Sequence, residues 1–205
     1  MKYFGFLFAF FAIEAALLSP ARPAAARDAD WPCVQPKVPQ MSVAAMWDGP
    51  SIEDVGNAWQ NDPKIKELVI LLAARRTPLD ATEKAISGFI TGSAAEREEK
   101  AKKLFAGLFE SLSEQRSEIM SGIERVAGKQ KELADKIRSD VAELRELEHK
   151  PQQDQSKINV LASRVEWSTR IFEDRRKTIR YVCETPTVIE QRVFALGRTI
   201  RKALD

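Results

Sequence analysis

The side chains best suited to covalent or proton-transfer chemistry in this 205-residue chain are two cysteines, Cys33 and Cys183, and a single histidine, His149. The cysteines are too far apart to form a C-x-x-C unit, the arrangement that tunes a thiol for redox exchange. In an oxidising compartment, two cysteines with no other partner form a structural disulfide. The alternative is an accessory redox protein working through the same pair. A bridge closing so long a loop contributes on the order of 4–5 kcal/mol in the chain-entropy account. His149 lies among Glu146, Glu148 and Lys150, beside what reads as a turn. A Ser-His-Asp triad could run only through it, and an exposed turn is a poor place to exclude water. Zinc sites of the usual kinds need several His or Cys ligands, which this chain lacks. It also has neither a Gly-rich phosphate loop nor a dinucleotide fingerprint. Acid pairs such as Glu98-Glu99 and Glu173-Asp174 fall on strongly charged helical stretches and read as solvated surface. The expectation is a protein that is not an enzyme and has no cofactor or metal centre.

The compartment comes from the first residues. Met1-Lys2 is followed by an apolar run from Tyr3 to Ile13 and then by Pro23-Ala24-Ala25-Ala26. An early positive charge, a short apolar core and small residues at the end make a secretory signal, cut after Ala26 with Ala24 and Ala26 as the small pair. An uncleaved anchor is the alternative, but the run is shorter than the roughly 20 residues a span requires. Glu14 also interrupts it. Export to the periplasm is expected, with secretion from the cell as a variant. The formal charge is +2, and losing Lys2, Arg22 and Glu14 leaves the rest near +1. That balance argues against nucleic acid as a partner.

The elements that would position the cysteines are helical. Charged residues are 30% of the chain and aromatics 8%, a mixture suited to long solvated helices. Residues 27–50 form a Pro-rich extended arm, with Pro32, Pro36, Pro39 and Pro50 opposing helix. Trp31 and Cys33 are expected to hold it against a helical body. Residues 51–205 form one helical domain. Helices are expected at 52–60, capped by Ser51 with Asp54 in the box position, at 63 to about 76, and at 78–91. Ser93 and Glu96 then make an S-x-x-E box for a helix from 94 to about 149.

The long helix carries an apolar stripe that includes Ala101, Phe105, Leu108, Leu112, Ile119, Ile123, Val126, Leu133 and Ile137, with Gln115 and Gln130 as polar interruptions. Double steps of four at 119–123 and 137–141 are stutters that relax the supercoil. A turn near 150–155 reverses the chain. The second helix, 155–183, repeats the pattern with Ile158, Leu161, Val165, Ser168, Phe172, Arg175, Ile179 and Val182. The fold class is therefore all-α: a long antiparallel helical hairpin (93–185) forming a coiled-coil stalk, and a small helical head (51–92 with 186–205). Cys183 should face the long helix near Ile123, with the arm crossing the hairpin about midway.

Three features could carry function. Gln115, Gln130, Ser168 and Arg175 place polar groups in the seam, where they set register or mark where a partner helix packs. Leu104, Phe105, Leu108, Phe109 and Leu112 exceed what a two-helix seam needs. They are expected to face the head helices, with an apolar-ligand groove or docking patch as the alternative. The basic bias after residue 170 is expected to pair with the Glu-rich first helix. Steering toward an anionic membrane surface is its other use. The functional expectation is a non-enzymatic periplasmic (cell-envelope) interaction or adaptor protein. Its candidate interaction residues are Phe105, Phe109, Gln115, Gln130 and Arg175, and its partner is another envelope protein or a second copy. The alternative is a carrier of a lipid or other apolar ligand between the head helices.

Overall fold

The computed structural model describes residues 31–205. The expected signal segment, its cut site and the first residues of the arm lie outside the described residues. All regular structure among the described residues is helical, with no strand. The order is α1 (Val43–Met46), a 3-10 helix (Gly56–Asn61), α2 (Pro63–Ala73), α3 (Leu79–Phe89), α4 (Ala94–Glu148), α5 (Gln155–Val182) and α6 (Thr185–Lys202).

Local sequence explains the helix boundaries. Asp62 caps α2, its carboxylate accepting from the backbone N–H of Lys64 and Ile65, and Pro63 takes the first position, where its missing donor costs nothing. Ser93 and Glu96 form the full reciprocal capping box of α4. Asp154 caps α5 by accepting from Lys157 N. With 55 residues, α4 is about 80 Å long. It pairs antiparallel with α5 through the turn at 149–154.

The expected helix at 52–60 is corrected. Gly56 has φ +46°, a left-handed conformation that breaks an α-helix there, and only a 3-10 helix follows. Asp54 takes no part in a capping box and instead pairs with Lys102 of α4 at 2.6 Å. The arm also differs from a purely extended path, because Val43–Met46 form one helical turn.

The core lies where the open end of the hairpin meets the short helices. Ile65, Val69 and Leu72 of α2, Ile86 of α3, Leu104, Phe105, Leu108 and Leu112 of α4, and Ile189, Val193, Leu196 and Ile200 of α6 form one buried cluster. Trp47, at the end of the arm, completes it by stacking on Phe105 with centroids 4.4 Å apart and planes 14° apart. Two glycines allow close approach here. A Cβ on Gly197 would fall 2.6 Å from the Met46 carbonyl oxygen, and one on Gly107 would fall 2.8 Å from the Trp59 ring. The surplus of large residues at 104–112 is thus absorbed by the head, as the first of the two sequence readings expects.

Buried arginines tie the head together. Arg192 of α6 donates from Nε to the Leu72 carbonyl (2.8 Å) and from Nη2 to the Thr77 carbonyl (3.0 Å). The Leu72 oxygen belongs to the last turn of α2, where carbonyls have no helical partner. Burial pulls the Arg192 pKa below the ordinary arginine value.

Candidate functional site

The arm and the stalk form one assembly, joined at the expected disulfide. Cys33 and Cys183 are bonded with Cα atoms 5.5 Å apart. From there the arm runs antiparallel to α4 toward the head. Gln35 donates to Glu184 (3.0 Å), and Lys37 pairs with Glu124. Arg116 of α4 is buried and donates to the Val38 carbonyl (2.7 Å), the Pro39 carbonyl (3.4 Å) and Glu190 of α6 (2.7 Å). Prolines deprive an extended chain of donors and leave its carbonyls unmatched, so a fixed guanidinium suits such an arm. Trp31 donates its indole N–H to the Gln35 carbonyl (2.7 Å). A groove of about 530 Å³ lies where the arm crosses the stalk, with Trp31, Cys33, Gln130, Phe172, Arg176 and Arg180 among its walls.

Each residue singled out from the sequence has a definite place. Gln130 is buried in the seam, and its Nε2 donates to the Phe172 carbonyl (2.8 Å). Its Oε1 is buried with no hydrogen-bond partner among the described residues. Phe105 is fully buried in the head core, and Phe109 lies against it at 6.1 Å between ring centroids. Gln115 is only half-buried and reaches back to Ser111 (3.4 Å), so it is not a seam residue. Arg116 and Met120 are buried in this stretch instead. The arm and α6 pack onto that side of α4 and turn its buried face by one residue. Arg175 and Val126, also expected in the seam, are exposed and line the edge of a different groove. Phe105 and Phe109 are therefore not brought together with Gln130 or Arg175. His149 is exposed in the turn, its Nδ1 2.6 Å from the Arg145 carbonyl oxygen.

The second groove is the feature that sequence reasoning missed. It lies between α4 and α5 on the flank away from the arm, has a volume of about 370 Å³, and is lined by Ile119, Gly122, Ile123, Val126, Ile179 and Val182, with Arg175 and Thr178. Its walls are almost wholly apolar. An exposed row runs from it along α5: Val160 (66% exposed), Trp167 (63%) and Ile171 (41%). These positions, with Thr178, each precede a seam residue by one: Leu161, Ser168, Phe172 and Ile179. One residue is 100° of helix rotation, so the row forms a second stripe beside the seam. Its spacing of seven and four was present in the sequence but overlapped the stronger seam pattern.

Charge along α5 is managed within the helix. Arg170 pairs with Glu166 (3.0 Å), Arg176 with Glu173 (3.4 Å) and Lys177 with Asp174 (3.5 Å). Of the later basic residues, Arg176 and Lys177 thus pair within α5, Arg201 with Asp205 and Lys202 with Glu83 of α3, rather than with α4. Bridges across the stalk come earlier, from Arg164 to Asp140 and Glu143.

Among the described residues, no cluster of three or more His, Cys, Asp or Glu could hold a metal ion, and no helix is long and apolar enough to cross a membrane. No protein-family model, curated protein or solved structure matches this chain.

Proposed function

We propose that this protein is a non-enzymatic interaction or adaptor protein of the cell envelope, working in the periplasm, and that its docking surface is the flank of the stalk opposite the arm. The observation that carries this reading is the exposed row Val160, Trp167 and Ile171 running into the apolar groove at Val126 and Val182. Large contiguous apolar surface on a soluble protein marks a contact site. Two helices flanking an apolar groove are what an amphipathic third helix fits, with its side chains at i, i+3, i+4 and i+7 seated between them. The signal-like first residues and the Cys33–Cys183 bridge support the assignment to an oxidising compartment.

The test is a photo-reactive residue in place of Trp167, with Arg180 on the arm side as the control. A discrete protein adduct from position 167 alone supports the reading. Failure of position 167 to capture any protein in the cell sinks it.

A carrier of an apolar ligand is the second reading. The groove between α4 and α5 favours it, rather than the head, where Phe105 already stacks on Trp47. Mass spectrometry of the protein under native conditions would reveal a bound lipid. Gly122→Leu, which places a side chain into that groove, should abolish its retention.

A further inference from the structure

We propose that the corner between α2 and α3 docks the head onto an anionic lipid bilayer surface. Its aliphatic side chains enter the acyl boundary while Arg75 and Arg76 meet lipid phosphates. This contact is separate from the stalk flank and does not depend on it.

The corner runs from Ile70 to Leu79, and three of its aliphatic side chains stand away from the core. Ile70 is 72% exposed, Leu79 52% and Leu71 48%. The buried face of α2 carries Ile65, Val69 and Leu72. Ile70 and Leu71 lie 100° and 200° of helix rotation beyond Val69, outside that face. Pro78 is exposed beside Leu79. Four exposed apolar residues within ten positions make a patch, unlike the scattered single residues of an ordinary surface. The turn holds its shape without them. Thr77 Oγ1 donates to the Leu71 carbonyl (2.8 Å), the Thr77 N–H donates to the Ala74 carbonyl (2.9 Å), and buried Arg192 grips the Leu72 and Thr77 carbonyls from inside. A surface fixed in this way loses little conformational freedom on contact.

Charge selects the occupant. From Leu68 to Leu79 the chain carries two adjacent arginines and no acid. Both arginines are exposed, and neither has an ion-pair partner among the described residues. Arg170, Arg176, Lys177, Arg201 and Lys202, by contrast, each have a carboxylate within reach. Over the wider span 63–84, Lys64, Lys66 and Lys84 join the arginines, against Glu67, Asp80 and Glu83. Glu83 is already taken by Lys202. Cations set among aliphatic side chains match the layering at a bilayer edge, where phosphate lies just above hydrocarbon. Both apolar-walled grooves of the molecule are on the stalk, and neither includes a residue of this corner. A bilayer needs no groove, only a projecting apolar turn with cations around it.

Flotation of the purified protein, disulfide intact, with lipid vesicles is the test. With an equal mixture of phosphatidylcholine and phosphatidylglycerol the protein should rise with the vesicles, and with phosphatidylcholine alone it should stay behind. Salt at about 0.5 M should release it by screening the arginines. Arg75→Gln and Arg76→Gln should each lower the partition coefficient about fivefold. Ile70→Gln, which leaves the charge unchanged, should lower it roughly tenfold. Helicity and Tm should stay as they are, because that side chain is exposed. Arg138→Gln, an exposed change far along the stalk, should leave binding intact. No flotation with the mixed vesicles overturns the proposal, as does equal flotation with phosphatidylcholine alone. Binding indifferent to both arginine variants places the contact elsewhere and overturns it. Binding that needs the arginines but ignores Ile70→Gln shows attraction to acid alone, and the bilayer falls in favour of an acidic partner. Capture of a protein at position 167 is a separate outcome, so this proposal and the stalk reading fail independently.

Discussion

Asp140 on α4 accepts two hydrogen bonds from Arg164 on α5, from Nε at 3.0 Å and from Nη2 at 2.8 Å. Beyond Gln130, Asp140 is the only buried side chain on α4 among the described residues. The outer stalk thus adds one two-pronged ion pair to a seam in which Ile158 and Leu161 of α5 are buried. The carboxylate is buried and the guanidinium half-exposed, so losing the arginine leaves a buried charge with only Lys136 nearby, at 3.9 Å. Arg164→Ala should destabilise by about 1–3 kcal/mol. Hydrogen exchange should rise around 133–165 while the head stays protected. Replacing both partners with Leu should cost much less, because no orphaned charge remains.

Two glycines on long helices should respond with opposite signs when changed to Ala. Gly128 faces open space, so Gly128→Ala should stabilise by about 0.5–1 kcal/mol through helix propensity. At Gly197 the new methyl meets the Met46 carbonyl oxygen at 2.6 Å, and backbone cannot move aside cheaply. Gly197→Ala should therefore lower Tm despite its better propensity. Thermal melts of the two variants side by side would show it.

Arg116 fastens the arm to α4 and α6 at once. Arg116→Ala leaves two arm carbonyls and Glu190 without their donor. A loss of about 2–4 kcal/mol is expected from a buried charged hydrogen-bonding group. Urea unfolding with an unchanged m-value is the measurement.

Reducing the Cys33–Cys183 bridge should release the outer arm before the inner one. Trp47 remains stacked in the core and Arg116 still holds Val38 and Pro39. Limited proteolysis after reduction should cut near 31–37 first and spare 41–50. The global cost should be about 2–5 kcal/mol.

Acid should loosen the start of α4. The Ser93 backbone N–H, then its hydroxyl, both 2.8 Å from Glu96 Oε2, hold the Glu96 carboxyl below its ordinary value of 4.5. A lowered folded-state pKa means the stabilisation is fully present above the unfolded value and disappears as pH falls through the folded one. NMR titration should place Glu96 below 4.5, and Ser93→Ala should raise it part of the way, because the backbone donor survives.

Much of the architecture could be read in the residues. The proline-free stretch after Ser93, the turn around Pro151 and the matched heptad beyond it are local signals, and the structure has the hairpin they imply. The disulfide followed from having only two cysteines. What escaped depended on neighbours from elsewhere in the chain. Arg116 replaces Gln115 as a buried residue because the arm and α6 cover that side of α4, which the spacing within α4 cannot register. Arg175 fits the seam period yet faces out at the groove edge. The row Val160, Trp167 and Ile171 was legible in principle, but a stripe one residue out of phase with a seam looks like noise in a single-period reading. Arg192 capping α2 joins residues 120 positions apart, and no local pattern encodes that.

The disulfide also constrains when this molecule can be finished. Its two sulfurs are separated by 150 residues, so Cys33 leaves the ribosome while nearly all of the scaffold it will lie on is still unmade. The arm is the first described segment to be synthesised and among the last able to settle, because its resting place consists of α4, the end of α5 and α6. Until Cys183 arrives, the Cys33 thiol is available to any oxidant or stray thiol it meets. An early wrong partner there would bar closure of the correct ring, leaving a hairpin that is folded but unfastened.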